Sequence, residues 1–331
     1  MTSVGRGERF EPLEDGDSNR PNRSSGLTAD VRQGRPKQGS DRAEAGRTSA
    51  FERIEIEAYI FDRVEDYSCP SRVTSLYDNS RKPGPVSTTR TSIEILETIK
   101  RRDGATITEV ADELRIAPST VHRHFGTLLD QGLVVYRDGK YRVGLRFLDF
   151  GIYAHQALSF YDIAKAQVDM LANETGEKAR LIAIEDGLSI LLYRAMGDHP
   201  LNTSARIGSR WPLHQLAAGK SILARLQEDE IDWIIDRHGL AGRTESTITN
   251  REDLLAELET VRQRGYGFNY SESIEGLNAV GTAFQDENGR PLGALSVSGP
   301  ANRLKGDVLE RELPELLLGA VNEIEINLKY A

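Results

Sequence analysis

The chain has 331 residues, a length that predicts two domains with room for a tail, and it carries 38% hydrophobic residues and a net charge of −9. Its lone cysteine, Cys69, excludes an intrachain disulfide framework, and no run approaches the roughly 20 apolar residues of a membrane span. With no apolar stretch near Met1 to act as an export signal, the sequence reads as soluble and cytoplasmic, with no membrane partner.

Residues 1–87 read as a disordered or mis-annotated N-terminal extension. Residues 1–50 mix Arg, Asp, Glu, Gly and Ser with almost no apolar period, and such a segment cannot offset its ordering entropy. Ile54, Ile56, Ala58 and Ile60 alternate like a short strand, and SRKPGPV at residues 80–86 is a Pro/Gly linker. A natural start codon further downstream is one explanation of this tail.

Residues 88–144 are read as a winged helix-turn-helix. Thr91-Ser92-Ile93-Glu94 is a capping box for a helix carrying Ile93, Ile95, Leu96 and Ile99, stopped by Asp103-Gly104. Thr106 to Glu109 is a second capping box, opening a helix with Ile107, Val110, Ala111 and Leu114. A break at Arg115 to Pro118 precedes a third helix from Ser119, whose buried stripe is Val121, Phe125, Leu128 and Leu129, ended by Gln131-Gly132. Strands at Leu133–Arg137 and Lys140–Val143 flank Asp138-Gly139, a favoured two-residue hairpin turn.

The third helix turns Ser119, Thr120, His122, Arg123 and Thr127 away from that stripe. Short hydroxyls at a helix N-terminus can donate to phosphate, and a guanidinium can fork onto guanine. The hairpin adds Arg137, Lys140 and Arg142 as a wing for the phosphate backbone, and Arg90 can reach a second groove. The acidity of the chain lies mostly in residues 151–331, so it leaves room for a local basic face. A protein-interaction or ligand-binding module that no longer binds DNA is the alternative.

With TITEVADELRIAPSTVHRHFGTLLDQGLVVYRDGKYRVG in view, the sequence resembles the IclR family of transcription regulators. Further family-like marks are Gly176-Glu177, Arg206 to Ser209, Pro212-Leu213-His214, Ala218 to Ser221, Thr244 to Thr249, Arg264-Gly265-Tyr266 and Ser296 to Pro300. The resemblance covers about residues 88–329. It departs at HRHFGTL, where an aliphatic pair commonly follows HR, and at Gly281-Thr282-Ala283, where relatives often have a proline or another larger residue. It implies a GAF-like α+β sensor domain with a largely antiparallel sheet over residues 161–331, joined by a linker helix in residues 145–160.

The residues place helices at Tyr161–Thr175, His214–Leu226, Glu228–His238, Arg251–Arg264 and Asp307–Asn327. Strands are predicted at Arg180–Ile184, Ser189–Arg194, Gly267–Ser271, Ala279–Gln285 and Gly293–Ser298. A pocket between the sheet and the helix near His214 is expected to be lined by Leu181, Ala183, Ala218, Ala283, Ser296 and Ser298. Alternate residues share a strand face, so the two serines point together and can hold a carboxylate or a sugar hydroxyl. Arg206 and Arg210 can pair with an anion or with the acidic surface; Asn269, Glu272 and Glu275 lie in a loop that resembles the family's acidic stretch near the pocket, where they can meet a ligand, although most carboxylates in such loops are merely solvated.

An enzyme is not expected. Ala218-Gly219-Lys220-Ser221 ends like a phosphate-binding loop, but that motif needs glycine where His214 stands. There is no histidine in metal spacing with Cys69 and no G-x-S-x-G elbow, so neither a metal nor a cofactor is predicted. The expected partners are double-stranded DNA with a palindromic operator, a small-molecule effector (an organic acid, a sugar or an aromatic metabolite) and a second copy. The chain would form a homodimer or homotetramer.

Overall fold

α1 (Ser87–Arg101), α2 (Ile107–Leu114) and α3 (Pro118–Asp130) close around Ile95, Ile99, Val110, Val121 and Phe125. The protein is described here by a computed structural model over residues 84–198 and 205–330. The expectations for the tail, among them the Ile54–Ile60 alternation and Cys69, lie outside those residues.

α1 begins four residues before the Thr91–Glu94 box predicted to open it. Nothing between Ser87 and Thr91 breaks a helix, and Thr91 Oγ1 instead donates to the Ser87 carbonyl at 3.1 Å, inside the helix. The second box forms as expected. Thr106 Oγ1 accepts the Glu109 amide at 3.2 Å, and Glu109 Oε2 accepts the Thr106 amide at 2.7 Å. Those hydrogen bonds from Thr106 hold the Glu109 carboxyl below its ordinary range. Arg115 ends α2 in a left-handed conformation, and Pro118 occupies the first position of α3, where its missing N–H costs nothing.

β1 (Val134–Arg137) and β2 (Lys140–Val143) pair antiparallel around Asp138 and Gly139, both at positive φ as a type I′ turn requires. Tyr141 of β2 exchanges two backbone hydrogen bonds with Ala105, and its ring stacks on Phe125 at 3.8 Å. The wing is thereby seated on α3. The linker helix α4 (Arg146–Gln156) follows and has no buried residue.

The second core belongs to a six-stranded antiparallel sheet. Its strands are β3 (Lys178–Glu185), β4 (Leu188–Met196), β5 (Arg210–Pro212), β6 (Gly267–Tyr270), β7 (Leu277–Gln285) and β8 (Pro291–Pro300), in the order β5-β4-β3-β8-β7-β6. α5 (Tyr161–Thr175) and α9 (Leu313–Tyr330) cover one face, packing on Leu181, Val280, Phe284, Leu295 and Val297. α6 (Ala217–Leu223), α7 (Glu228–His238) and α8 (Arg251–Arg264) form the core on the other, around Ile182, Ala283 and Ala294.

Two expectations shift, and one strand, β5, was not expected. The helix predicted over His214–Leu226 is a 3-10 turn, Leu213–Gln215, then an extended Leu216, then α6. The interruption lets His214 Nε2 and Gln215 Nε2 both approach the Ala241 carbonyl, at 3.1 and 2.9 Å. The helix predicted from Asp307 opens as a π turn, Val308–Glu312, running into α9 at Leu313-Pro314; proline supplies no N–H for the regular ladder. β5, three residues long, is too short to show an alternation.

Candidate DNA interface and effector site

On α3 the offsets of Ser119, His122, Arg123 and Thr127 put four exposed polar residues on one helical face, with Thr120 half-buried beside them. Thr127 Oγ1 donates to the Arg123 carbonyl at 3.4 Å. Val121, Phe125 and Leu128 hold the opposite side in the core. His124 is used internally: its Nδ1 lies 2.8 Å from Ser92 Oγ, tying α3 to α1. Arg90 is exposed on α1.

By register, Arg137, Lys140 and Arg142 share one face of the hairpin. Arg142 is already engaged, since its guanidinium donates to the Asp103 carbonyl at 2.6 Å and pairs with the Asp103 carboxylate at 3.2 Å. It fastens the wing to the turn after α1, leaving Arg137 exposed and Lys140 half-buried near the tip.

In the sheet, Ser296 and Ser298 point to the α6 side with Ala294, and are 7% and 3% exposed. Ala218 and Ala283 lie on that side as expected. Leu181 and Ala183 do not; with Ala179 they face α5 and α9. β3 is apolar on both faces over Leu181–Ile184, so the sequence leaves its phase open, and the even-numbered residues are the ones turned toward α6. Opposite Ser298 and Ser296 therefore stand Lys178 and Arg180, with Arg194 of β4 opposite Arg180.

These three cations were missed. The signal was available in KARLIAI, where two basic residues stand two apart at the head of an apolar strand. Lys178 is 1% exposed, and burial, then the positive charges of Arg180 and Arg194, pull its amine down to about 7. Burial, with Arg194 adding to it, lowers Arg180 to about 10. Arg194 Nη1 donates to the Ala205 carbonyl. Among the described residues the Ser298 hydroxyl, though buried, has no hydrogen-bond partner.

Gly281 and Gly267 bring the start of α6 onto the sheet. A Cβ on Gly281 would lie 2.5 Å from the Ala218 nitrogen, and one on Gly267 would lie 2.5 Å from the Ala217 oxygen. The Gly281-Thr282-Ala283 stretch is thus a packing requirement, with no room for a larger residue at its first position. Beside it, Lys220 is buried and donates to both oxygens of Glu272, at 2.7 and 3.0 Å, with Glu257 at 3.5 Å. Thr244 and Thr247 donate their hydroxyls to the Glu272 carbonyl, and Asn269 Nδ2 donates to the Gln215 carbonyl at 2.7 Å. Lys220 is thus a structural cation, in keeping with the rejected phosphate loop, and Glu272 is not solvated. Glu275 is exposed. Arg210 pairs with Glu185 at 2.7 Å.

The model of the bacterial transcriptional regulator IclR C-terminal domain matches residues 154–326, and a helix-turn-helix domain model matches residues 88–137. The chain belongs to the IclR family. This IclR-family chain is 32% identical to the protein named Probable HTH-type transcriptional regulator ArcR of Halobacterium salinarum, over 76% of this chain and 98% of that one. It is 29% identical to the transcriptional repressor IclR of Escherichia coli, over 73% and 90% of the two chains. The crystal structure of the Thermotoga maritima IclR superposes with a TM-score of 0.62 at 28% identity, covering 74% of this chain and 99% of that one. An IclR homolog from Microbacterium hydrocarbonoxydans complexed with 4-hydroxybenzoate shares the fold, with a TM-score of 0.64 at 22% identity.

The IclR-family chain is accordingly a helix-turn-helix transcription regulator, and its relatives are named as regulators. No helix among the described residues is long and apolar enough to cross a membrane. The described residues contain no group of three or more His, Cys, Asp or Glu placed to hold a metal ion.

Proposed function

We propose that this regulator reads a palindromic operator with α3 as recognition helix, and that a small molecule bound at Ser296 and Ser298 controls it. The observation that carries DNA reading is the division of α3, with Val121, Phe125 and Leu128 anchored inward and Ser119, His122, Arg123 and Thr127 presented together. Thr120, Arg90, Arg137 and Lys140 supply phosphate contacts, which position the protein without reading bases. Arg142 contributes by fixing the wing.

α4 supports a homodimer. Leu148, Phe150, Ile152 and Tyr153 are all exposed on a helix that buries nothing, and a second copy of the same helix is a self-complementary cover. Two-fold pairing sets recognition helices about 34 Å apart or at a multiple of it, one turn of DNA or several. The sensor domains can pair in turn to make a homotetramer. The Microbacterium complex supports an organic or aromatic acid as effector, and Ala218 and Ala283 supply small apolar surface near the serines. The effector acts only through its difference in affinity between DNA-competent and DNA-incompetent arrangements.

Fluorescence anisotropy with a labelled duplex from the protein's own promoter region tests this. Affinity should fall steeply with salt, and Arg123→Ala should abolish preference over a scrambled duplex. Equal affinity for both duplexes in the unaltered protein refutes sequence reading, and no binding at low ionic strength favours the interaction-module alternative.

A further inference from the structure

Phe125, Tyr136 and Tyr141 are the Phe, Tyr and Trp residues of the stretch 88–144, and they form one column. Tyr141 lies flat on Phe125, with ring centroids 3.8 Å apart and planes within 3° of parallel. Tyr136, its partner in the β1–β2 register, leans on Tyr141 at 4.9 Å. Phe125 is buried and Tyr141 half-buried, whereas Tyr136 is 60% exposed. Successive cross-strand pairs alternate between the faces of a hairpin, so Tyr136 shares the face that Tyr141 turns toward α3. The next pair toward the turn, Arg137 and Lys140, looks the other way. The wing thus carries its cations near the tip and an exposed phenol, one residue away, on the side facing the recognition helix.

We infer that Tyr136 is a positioning residue for DNA, its hydroxyl donating to a phosphate oxygen of the strand that passes between α3 and the wing. The inference rests on the reading of α3 as recognition helix and adds a neutral contact to the cationic ones of Arg137 and Lys140. A helix lying in the major groove has a phosphate strand on either flank, and the inner face of the wing adjoins one of them. The two cations draw that strand to the tip, and a hydroxyl then needs to act only at short range. Tyrosine has few side-chain torsions to fix, and this ring is already braced by the column beneath it, so little freedom is lost on binding. A neutral donor releases no counterion, so it leaves the salt dependence of binding untouched. A phosphate carries no sequence, so the contact adds equally to every duplex.

Fluorescence anisotropy of the full chain with the labelled promoter duplex and with its scrambled counterpart, each across a salt series, is the test. Tyr136→Phe should weaken both duplexes by the same factor, about three- to tenfold, the range of one hydrogen bond, with the slope of log affinity against log salt unchanged. Arg137→Ala should instead make that slope shallower by about one. Tyr136→Phe binding as tightly as the unaltered protein overturns the inference; a loss seen in Tyr136→Ala alone then makes the ring a prop for Tyr141. A loss confined to the promoter duplex assigns the hydroxyl to a base edge and overturns the phosphate contact, as does a changed salt slope in Tyr136→Phe, which reports a displaced wing. If the unaltered protein binds both duplexes alike and Tyr136→Phe still weakens them equally, sequence reading by α3 falls while the Tyr136 contact stands. If it binds neither duplex at low ionic strength, both fall.

Discussion

Replacing Lys220 by methionine keeps the length of the side chain and removes its charge from a site where the lysine side chain is 2% exposed and that of Glu272 6%. Glu272 then retains, besides solvent access at that low level, a long contact from the Tyr270 amide at 3.4 Å. Removing one partner of a buried pair typically costs about 3–5 kcal/mol, because the other charge is left buried. Glu272→Gln is the milder perturbation, since Lys220 still has Glu257 at 3.5 Å and an amide oxygen in place of the carboxylate. It should cost roughly 1–3 kcal/mol, the usual penalty of an under-satisfied buried group. Combining the two removes both charges and should recover about 1–3 kcal/mol relative to the sum of the single changes. Both tryptophans, Trp211 and Trp233, lie in the sensor domain, so their fluorescence in a urea titration follows the domain that holds the pair. A loss below about 1 kcal/mol for Lys220→Met, at the level of an exposed pair, or strict additivity in the double variant, would refute the claim that this ion pair pins the Thr244–Thr247 and Glu272 loops to α6.

Thr106→Ala removes one side of the reciprocal cap on α2 and should lower stability by about 0.5–2 kcal/mol in differential scanning calorimetry of the DNA-binding unfolding step. Phe150→Glu with Leu148→Glu should convert the assembly to monomers in sedimentation velocity and weaken operator binding, with unchanged circular dichroism. The depressed pKa of Lys178 makes the unfolded chain the stronger proton binder between pH about 7 and the lysine's ordinary range. Stability should therefore rise with pH through that window, by at most about 1.4 kcal/mol per unit, and fall away again toward pH 7. Urea midpoints across pH 7–10 should show this rise in the unaltered protein and a flatter profile in Lys178→Met.

The DNA-binding half was legible almost element by element because its signals are local: a reciprocal cap at Thr106, a break ending at Pro118 that falls within one residue of the start of α3, an Asp-Gly turn between short strands. The Thr91 box misled because capping residues also occur inside helices, where the hydroxyl turns back to its own backbone. In the sensor half, α7 and α8 matched their predicted bounds, each ending at a glycine, Gly239 and Gly265. The phase of β3 was not readable, since a strand buried on both faces carries apolar residues at odd and even positions alike. That single ambiguity sent Leu181 and Ala183 to the wrong face and hid Lys178 and Arg180. The break at Leu216 brings His214 and Gln215 to the carbonyl of Ala241, a partner distant in sequence that leaves no local signal.

The close approach of α6 to the sheet has one further consequence. Ser296 is the cross-strand partner of Gly281, and Gly281 meets the backbone of Ala218 with no side chain between them. Most helix–sheet contacts are cushioned by side chains that can change rotamer and absorb a small displacement. Here two main chains touch, so a shift of even a few tenths of an ångström in the strand beside Ser296 moves the helix or opens a gap. A molecule hydrogen-bonded at that serine would press on a junction of bare backbone, where a local event has little opportunity to dissipate.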